Sequence, residues 1–196
     1  MRPILGVDVD STIWDLFVPA ARAVLDVTGE EIDPEEAFTW TYLLDTYGEE
    51  AAVEIYTRVL DPRRVHEREP YPGSPEVLRA LQEEMGICIH FITHNWDPEG
   101  MSPYLEPWLK GNFGIGIGLT VTMEDKLDVL ERIGAFGMVD DRPATIARVA
   151  DAGLWVATKI QPWNQRLVAA RADVHGFASW HEFPDLLLYA WKAYSF

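Results

Sequence analysis

Apolar positions along the chain follow two alternating rhythms. Pro3 to Val9 is a short apolar run ending in acidic residues, which predicts a buried strand whose carboxyl end carries polar chemistry. From Asp15 the period lengthens, with Leu16, Ala20, Ala23, Val24 and Val27 on one helical stripe and Gly29 as its stop. Tyr71-Pro72-Gly73-Ser74-Pro75 marks a loop, with Ser74 as N-cap and Pro75 opening a helix that runs to Met85. Ile87 to Ile92 predicts a second strand, and Thr93-His94-Asn95 sits at its end. Further on, a strand is expected near Ile117–Val121, then a helix from Glu124 to Ile133 that carries Lys126. Ala135–Val139 predicts a strand ended by Asp140-Asp141, followed by a helix over Pro143–Ala152, a strand over Leu154–Ala157 and a last amphipathic helix over Glu182–Ala193. Strands alternating with helices imply an α/β fold, a parallel sheet covered on both faces.

Two stretches read differently. Residues 30–66 are mixed and rich in aromatics (Phe38, Trp40, Tyr42, Tyr47, Tyr56), with a helix expected from about Glu49 to Leu60 and no strand-like run. They predict a mostly helical insertion. Residues 97–113 contain Pro98, Pro103 and Pro107, so a helix there is expected to be broken or to start late. The glycines at 111, 114, 116 and 118 match neither a phosphate-binding nor a dinucleotide-binding loop and read as a turn into the next strand.

Composition narrows the partners. The 196 residues fit one domain with a small inserted subdomain, and 48% hydrophobic content suffices for a sizeable core. A net charge of −16 argues against a nucleic-acid polymer or an anionic membrane as partner. A small anionic substrate remains compatible if a metal and a few local cations dominate its pocket. Cys88 is the single cysteine, so neither an intrachain disulfide nor a four-cysteine zinc site is available. The N-terminal run lacks the zones of a signal peptide, and no apolar run approaches the roughly 20 residues of a membrane span. A cytoplasmic setting is the expectation.

The chemistry-bearing residues share one position: the ends of strands. Asp8 and Asp10 follow the first strand, Thr93 the second, and Asp140 and Asp141 a later one. In a parallel sheet these ends line one crevice. Asp8 and Asp10 with Asp140 or Asp141 would concentrate negative charge and recruit a cation, and hard oxygen donors suit Mg²⁺. Asp8 is then placed to attack phosphorus as a nucleophile, and Asp10 to protonate the leaving oxygen and later deprotonate water. Thr93 offers a hydrogen bond to a phosphate oxygen, and Lys126 a positive charge. The order of these residues, each at the end of an apolar run or on the following helix, is the specific signal; an isolated Asp-x-Asp is not.

In that order the residues resemble the four motifs of the haloacid dehalogenase superfamily of phosphohydrolases. Ile4-Leu5-Gly6-Val7-Asp8-Val9-Asp10-Ser11-Thr12 is similar to the first, Phe91-Ile92-Thr93 to the second, Lys126 to the third and Met138-Val139-Asp140-Asp141 to the fourth. The resemblance implies a Rossmann-like core over 1–14 and 71–196 and a small helical cap, inserted after the first strand, over 15–70. It implies Mg²⁺ held by Asp8, the Asp10 backbone carbonyl and an acid at 140 or 141, Asp140 being preferred. Phosphatases of the superfamily use the residue at Asp10 as acid/base and dehalogenases lack it, so dehalogenation is not expected. Trp14 is similar to a residue of small magnesium-dependent phosphatases of the same superfamily.

Glu69-Pro70-Tyr71-Pro72-Gly73-Ser74-Pro75-Glu76-Val77 and Val139-Asp140-Asp141-Arg142-Pro143 resemble the 5′(3′)-deoxyribonucleotidase family in particular. This implies a 5′-nucleotidase acting on (deoxy)nucleoside monophosphates, with Phe17, Phe38, Trp40 and Tyr42 of the cap available to stack on a base. His94 stands where that family often has serine, and is a candidate contact to phosphate or leaving group. Another small phosphate ester or a phosphoprotein is the alternative substrate. A catalytically silent module that binds a nucleotide or a protein is the alternative of another class. The apolar C-terminal helix (Tyr189, Trp191, Tyr194, Phe196) makes a homodimer plausible.

Overall fold

The computed structural model describes residues 2–33, 39, 41–114 and 116–193, with the backbone alone over 190–193. Phe38, Trp40, Tyr194, Phe196 and the side chain of Trp191 lie outside the described residues. The strands are β1 (Ile4–Val7), β2 (Cys88–His94), β3 (Gly118–Thr122), β4 (Ala135–Val139), β5 (Trp155–Lys159) and β6 (Val174–Phe177). The helices are α1 (Phe17–Thr28), α2 (Tyr42–Val59), α3 (Ser74–Glu84), α4 (Pro98–Phe113), α5 (Lys126–Ile133), α6 (Pro143–Asp151), α7 (Gln165–Ala170) and α8 (Phe183–Ala193). A 3₁₀ turn over Pro62–Glu67 brings the chain back from the helical insert of α1 and α2.

All six strands are parallel, in the order β3-β2-β1-β4-β5-β6. This is a Rossmann-like arrangement. The order reverses at β1, where the chain leaves for β2 on one side and β4 lies on the other, and such a switch point opens a crevice beyond the strand ends. Leu5, Val7, Ile89 and Phe91 pack one face of the sheet against α3, α4 and α8, while Ile92 and Met138 face Val129, Leu130, Ile146 and Val149 of α5 and α6 on the other.

The elements follow the apolar pattern with informative exceptions. Helix α2 is two helical segments joined at a kink where Gly48 takes φ 79° and ψ 173°. The second, following Gly48 and capped at Leu60, matches the helix expected from about Glu49 to Leu60, while the first, from Tyr42, had no counterpart in the apolar pattern. The proline-rich stretch forms one continuous helix, α4, contrary to the expectation of a break. Pro98 lies in its first turn, where no N–H is needed, and Asp97 caps it by accepting from Gly100 N–H at 3.0 Å. Pro103 and Pro107 are interior, but the helix buries Met101, Leu105, Trp108, Leu109 and Phe113. At roughly 1.5–3 kcal/mol for each large side chain, that burial exceeds the roughly 3 kcal/mol cost of each proline. The α7–β6 segment had no counterpart in the apolar pattern. It closes the sheet edge beside a ring cluster in which Phe177, Trp180 and Phe183 have mutual centroid distances of 5.1–5.2 Å.

Among the described residues no helix is long and apolar enough to cross a membrane. Leu188 and Tyr189 of α8 are exposed.

One backbone feature constrains β4. Its pairing with β1 jumps from Ala135 to Gly137, so Phe136 is an extra residue of a bulge. A Cβ on Gly137 would collide with the backbone carbonyl of Trp155 on β5. Gly137→Ala should therefore lower unfolding free energy by about 2 kcal/mol or more, seen as a lower urea midpoint; an unchanged midpoint would contradict this packing.

Candidate active site

Strand register builds the site. Val7 of β1 pairs with Phe91 of β2 and with Val139 of β4. The next residues are Asp8 on the central strand and Asp140 beside it, joined where Asp8 N–H donates to Val139 O at 2.8 Å. Thr93 follows on β2, two residues beyond Phe91. Lys126 arrives from another direction, as the first residue of α5, whose start Asp125 caps by accepting from Leu127 N–H at 2.9 Å.

The Lys126 ammonium lies between two carboxylates, donating to Asp8 Oδ1 at 2.6 Å and to Asp140 Oδ2 at 2.8 Å. All three side chains are almost fully buried. Asp141 is adjacent and completely buried; its Oδ2 accepts from Trp163 Nε1 at 3.0 Å. Thr12 Oγ1 lies at 3.4 Å from Asp8 Oδ2 and at 3.5 Å from Asp141 Oδ1. Asp10 points elsewhere. Its Oδ1 accepts from Trp14 Nε1 at 2.9 Å, its Oδ2 accepts from Thr93 Oγ1 at 3.1 Å, and Arg68 stands 3.5 Å away. Asp8 and Asp10, two residues apart, thus serve different parts of one cavity.

The chain between them is held in an unusual shape. Ser11 takes a left-handed φ of 56°, uncommon for a residue with a side chain. Gln161 Nε2 donates to Ser11 O at 2.9 Å and Trp180 Nε1 to Thr12 O at 3.1 Å. Asn164 Nδ2 donates to Asp141 O at 3.2 Å. Gln161, Trp163, Asn164 and Trp180 were absent from the sequence reading, because they come from a segment with no apolar periodicity and act by hydrogen bonds to backbone. Arg68 was also missed. Its only sequence signal is its place just before the Glu69–Tyr71 return.

A cavity of about 310 Å³ opens over this group, lined by Asp8, Asp10, Thr93, His94, Lys126 and Arg142, with Leu16, Phe17, Leu44, Tyr56, Leu60 and Trp96 around them. His94 faces the cavity while its Nε2 donates to Glu124 O at 2.8 Å. Phe17 lines it but is largely buried, stacked on Trp163 at a centroid distance of 4.5 Å. Tyr42 packs against that pair and is not among the lining residues. Tyr56 and the half-exposed Trp96, not singled out as base-stacking candidates, do line it.

Charge is unbalanced in this crevice. Burial pushes the Asp8 carboxyl up to about 7; Lys126 opposes the rise, and Asp140 and Asp10 add to it. Burial likewise holds Asp141 well above the usual carboxylate range, reinforced by Asp8 and Asp140. Burial acts to lower Lys126, but Asp140 and Asp8 outweigh it and keep the ammonium protonated. Burial and nearby Lys126 push His94 down, favouring a neutral ring. Three ionised carboxylates against one ammonium would leave a negative excess; protons offset it where Asp8 and Asp141 are raised, and a hard divalent cation would take their place. Oxygens of Asp8, Asp140 and Asp141 lie within 4.8 Å of one another, a donor set that fits Mg²⁺. The geometry does not single out Asp140 over Asp141. Both Asp140 oxygens are engaged, Oδ1 by Arg142 N–H at 2.8 Å, whereas Asp141 Oδ1 is 3.5 Å from Thr12 Oγ1 and the Asp141 carboxyl also meets that of Asp8.

The fold is similar to the Rossmann-like core of solved haloacid dehalogenase-superfamily hydrolases. Among solved structures, a chain from Bacteroides vulgatus assigned as a beta-phosphoglucomutase is similar at TM-score 0.68 and 17% identity, covering 100% of this chain and 91% of that one. A haloacid dehalogenase-like family hydrolase from Xanthomonas campestris is similar at TM-score 0.58 and 14% identity, over 95% and 94%. The D,D-heptose 1,7-bisphosphate phosphatase of B. bronchiseptica, solved with magnesium and phosphate, gives TM-score 0.55 and 11% identity, over 97% and 99%. No family model and no curated protein matches the sequence. At these identities the likeness defines the fold.

The raised Asp8 carboxyl has a thermodynamic consequence. Its folded value of about 7 exceeds the ordinary 3.8, so the folded protein binds this proton more tightly than the unfolded chain. That contribution favours folding at low pH and is lost as pH rises through the window between those values. Mg²⁺ should therefore raise the melting temperature more at about pH 8, with Asp8 ionised, than at about pH 5.5, where protons compete for the site. Thermal melts with and without Mg²⁺ at both pH values check this; equal shifts would contradict it.

Proposed function

We propose that this protein is a magnesium-dependent phosphomonoesterase acting through an aspartyl-phosphate on Asp8, with nucleoside monophosphates as substrates. The observation that carries the reading is the buried Asp8–Lys126–Asp140 contact, with Asp141 beside it and Asp10 two residues on, at the switch point of the sheet. A silent binding module would have no need of such a costly cluster.

The steps follow from the side chains. Asp8 attacks phosphorus through a carboxylate oxygen, the bond to the leaving oxygen breaks, and that oxygen keeps the electron pair and takes a proton from Asp10. Water then attacks the phosphoryl group of Asp8, giving its proton to Asp10 and releasing phosphate. Thr93 and Lys126 hold phosphate oxygens, and His94 lies beside them at the cavity wall. Asp8, the Asp10 carbonyl and an acid at 140 or 141 would hold Mg²⁺, which would supply charge neutralisation between the carboxylate and the phosphate dianion.

The helical insert over 15–70 acts as a cap on a core formed by 1–14 and 71–196. The substrate reading rests on the cavity lining, where Leu16, Phe17, Leu44, Tyr56, Leu60 and Trp96 make an apolar wall. A planar base buries well there, whereas a polyhydroxylated sugar would leave hydroxyls unpaired. The resemblance to 5′(3′)-deoxyribonucleotidases in the motif stretches points the same way. The heptose bisphosphatase, alike in fold, keeps sugar phosphates as the competing class.

Two outcomes are expected. Asp8→Asn should lower turnover of an aryl phosphate by about 10³-fold or more, and a chelator should abolish wild-type turnover until Mg²⁺ is restored. Near-full activity of the variant would refute the mechanism. In steady-state assays of nucleoside monophosphates against sugar phosphates, kcat/KM should favour the nucleotides, and Trp96→Ala should raise their KM about tenfold. A preference for sugar phosphates would overturn the substrate assignment alone.

A further inference from the structure

Arg68 is a buried cation that the steps above do not use. It follows the 3₁₀ turn at the point where the chain re-enters the core, and its side chain is 4% exposed. Its backbone is anchored, since Trp108 Nε1 donates to Arg68 O at 3.1 Å. The guanidinium carbon lies 4.4 Å from the centroid of the Trp14 ring, and Nη1 stands 3.5 Å from Asp10 Oδ1. That same oxygen accepts the Trp14 indole N–H at 2.9 Å. Trp14 belongs to the outgoing crossing between core and insert, and Arg68 to the returning one. The two crossings are tied, as Trp14 bridges to Pro70 and Tyr71 N–H donates to Ile13 O at 2.7 Å.

Such a placement is unfavourable for stability. Among the described residues, Nε and Nη2 of Arg68 are buried without a hydrogen-bond partner, and burial lowers the guanidinium pKa against the pull of Asp10. An apolar side chain would fill the same space without stranding donors. What an apolar residue would not supply is a fixed donor and charge beside Asp10. Thr93 holds the other Asp10 oxygen, yet its hydroxyl is also the one assigned to phosphate. When phosphate takes that hydroxyl, Trp14 and Arg68 are, among the described residues, the remaining holds on Asp10.

We infer that Arg68 is a positioning residue for the acid/base: stacked on Trp14, it brackets the Asp10 carboxylate and sets the direction from which its proton reaches the leaving oxygen. The inference rests on the phosphoryl chemistry proposed above. As the phosphorus–oxygen bond breaks, the electron pair stays on the leaving oxygen. An alkoxide needs the Asp10 proton at that moment, while an activated aryl oxide leaves as the anion.

The test is leaving-group dependence in the full-length protein with Mg²⁺. Arg68→Gln should lower kcat on an alkyl phosphate at least tenfold more than on 2,4-dinitrophenyl phosphate, within the roughly 10²–10⁴-fold range of acid catalysis. Arg68→Lys, which keeps the charge, should recover part of the alkyl-ester loss. Trp14→Phe keeps the ring and removes the indole donor, and should show the same selective loss; it carries the test if Arg68→Gln does not fold. Parallel losses on the two esters, a loss confined to KM, or no loss would overturn the inference, since a merely structural residue does not sense the leaving group. A wild-type protein that hydrolyses neither ester would instead sink the phosphohydrolase reading, and this inference with it.

Discussion

Lys126 sits between Asp8 and Asp140, and the site depends on that contact. Removed from water, three carboxylates at adjoining strand ends repel one another, and burial penalises each charge again. One ammonium at 2.6 and 2.8 Å offsets part of that repulsion, and the raised Asp8 and Asp141 carboxyls show that protons take up the rest. The position of Lys126 is fixed by the core. It is the first residue of α5, whose Val129 and Leu130 are buried against the sheet, and Asp125 caps the helix just before it. Hydrophobic packing on one face of the sheet therefore sets the electrostatics of the crevice.

The same logic explains the polar residues behind the site. Trp163, Asn164, Gln161 and Trp180 spend their donors on the backbone and carboxylates of residues 11, 12 and 141. They hold a loop in which Ser11 adopts a left-handed conformation and, among the described residues, its buried hydroxyl has no partner. Among the described residues, the left-handed Ser11 with its unpartnered hydroxyl and the unpartnered donors of Arg68 lie around Asp8 and Asp10. That distribution is expected where stability is traded for a pre-arranged site.

Much of this was legible because a parallel sheet converts sequence order into spatial adjacency. Short apolar runs ending in Asp8, Thr93 and Asp140 needed no alignment to be read as strand ends meeting in one crevice, and Lys126 followed from its helix. What escaped did so for physical reasons. The helix α4 defied its prolines because buried Leu105, Trp108 and Phe113 outweigh local propensity. Strand β6, Val-His-Gly-Phe, is four residues long and is held by pairing with β5, a tertiary contact with no local signature. Trp163 and Arg68 act through a few hydrogen bonds, ring contacts and an ion contact, which leave no periodicity. Among the expected base-stacking residues, Phe17 packs on Trp163 and Tyr42 beside them, whereas Trp96, placed just after β2, faces the cavity.

The central claim is that Asp8 becomes covalently phosphorylated. Rapid acid quench during turnover of an activated aryl phosphate, followed by proteolysis and mass spectrometry, tests it directly. A hydroxylamine-labile phosphoryl group on the peptide carrying Asp8, formed and lost at rates compatible with turnover, is the predicted result. Turnover with no phosphorylated peptide at any time, or with the phosphoryl group on another residue, would contradict the account.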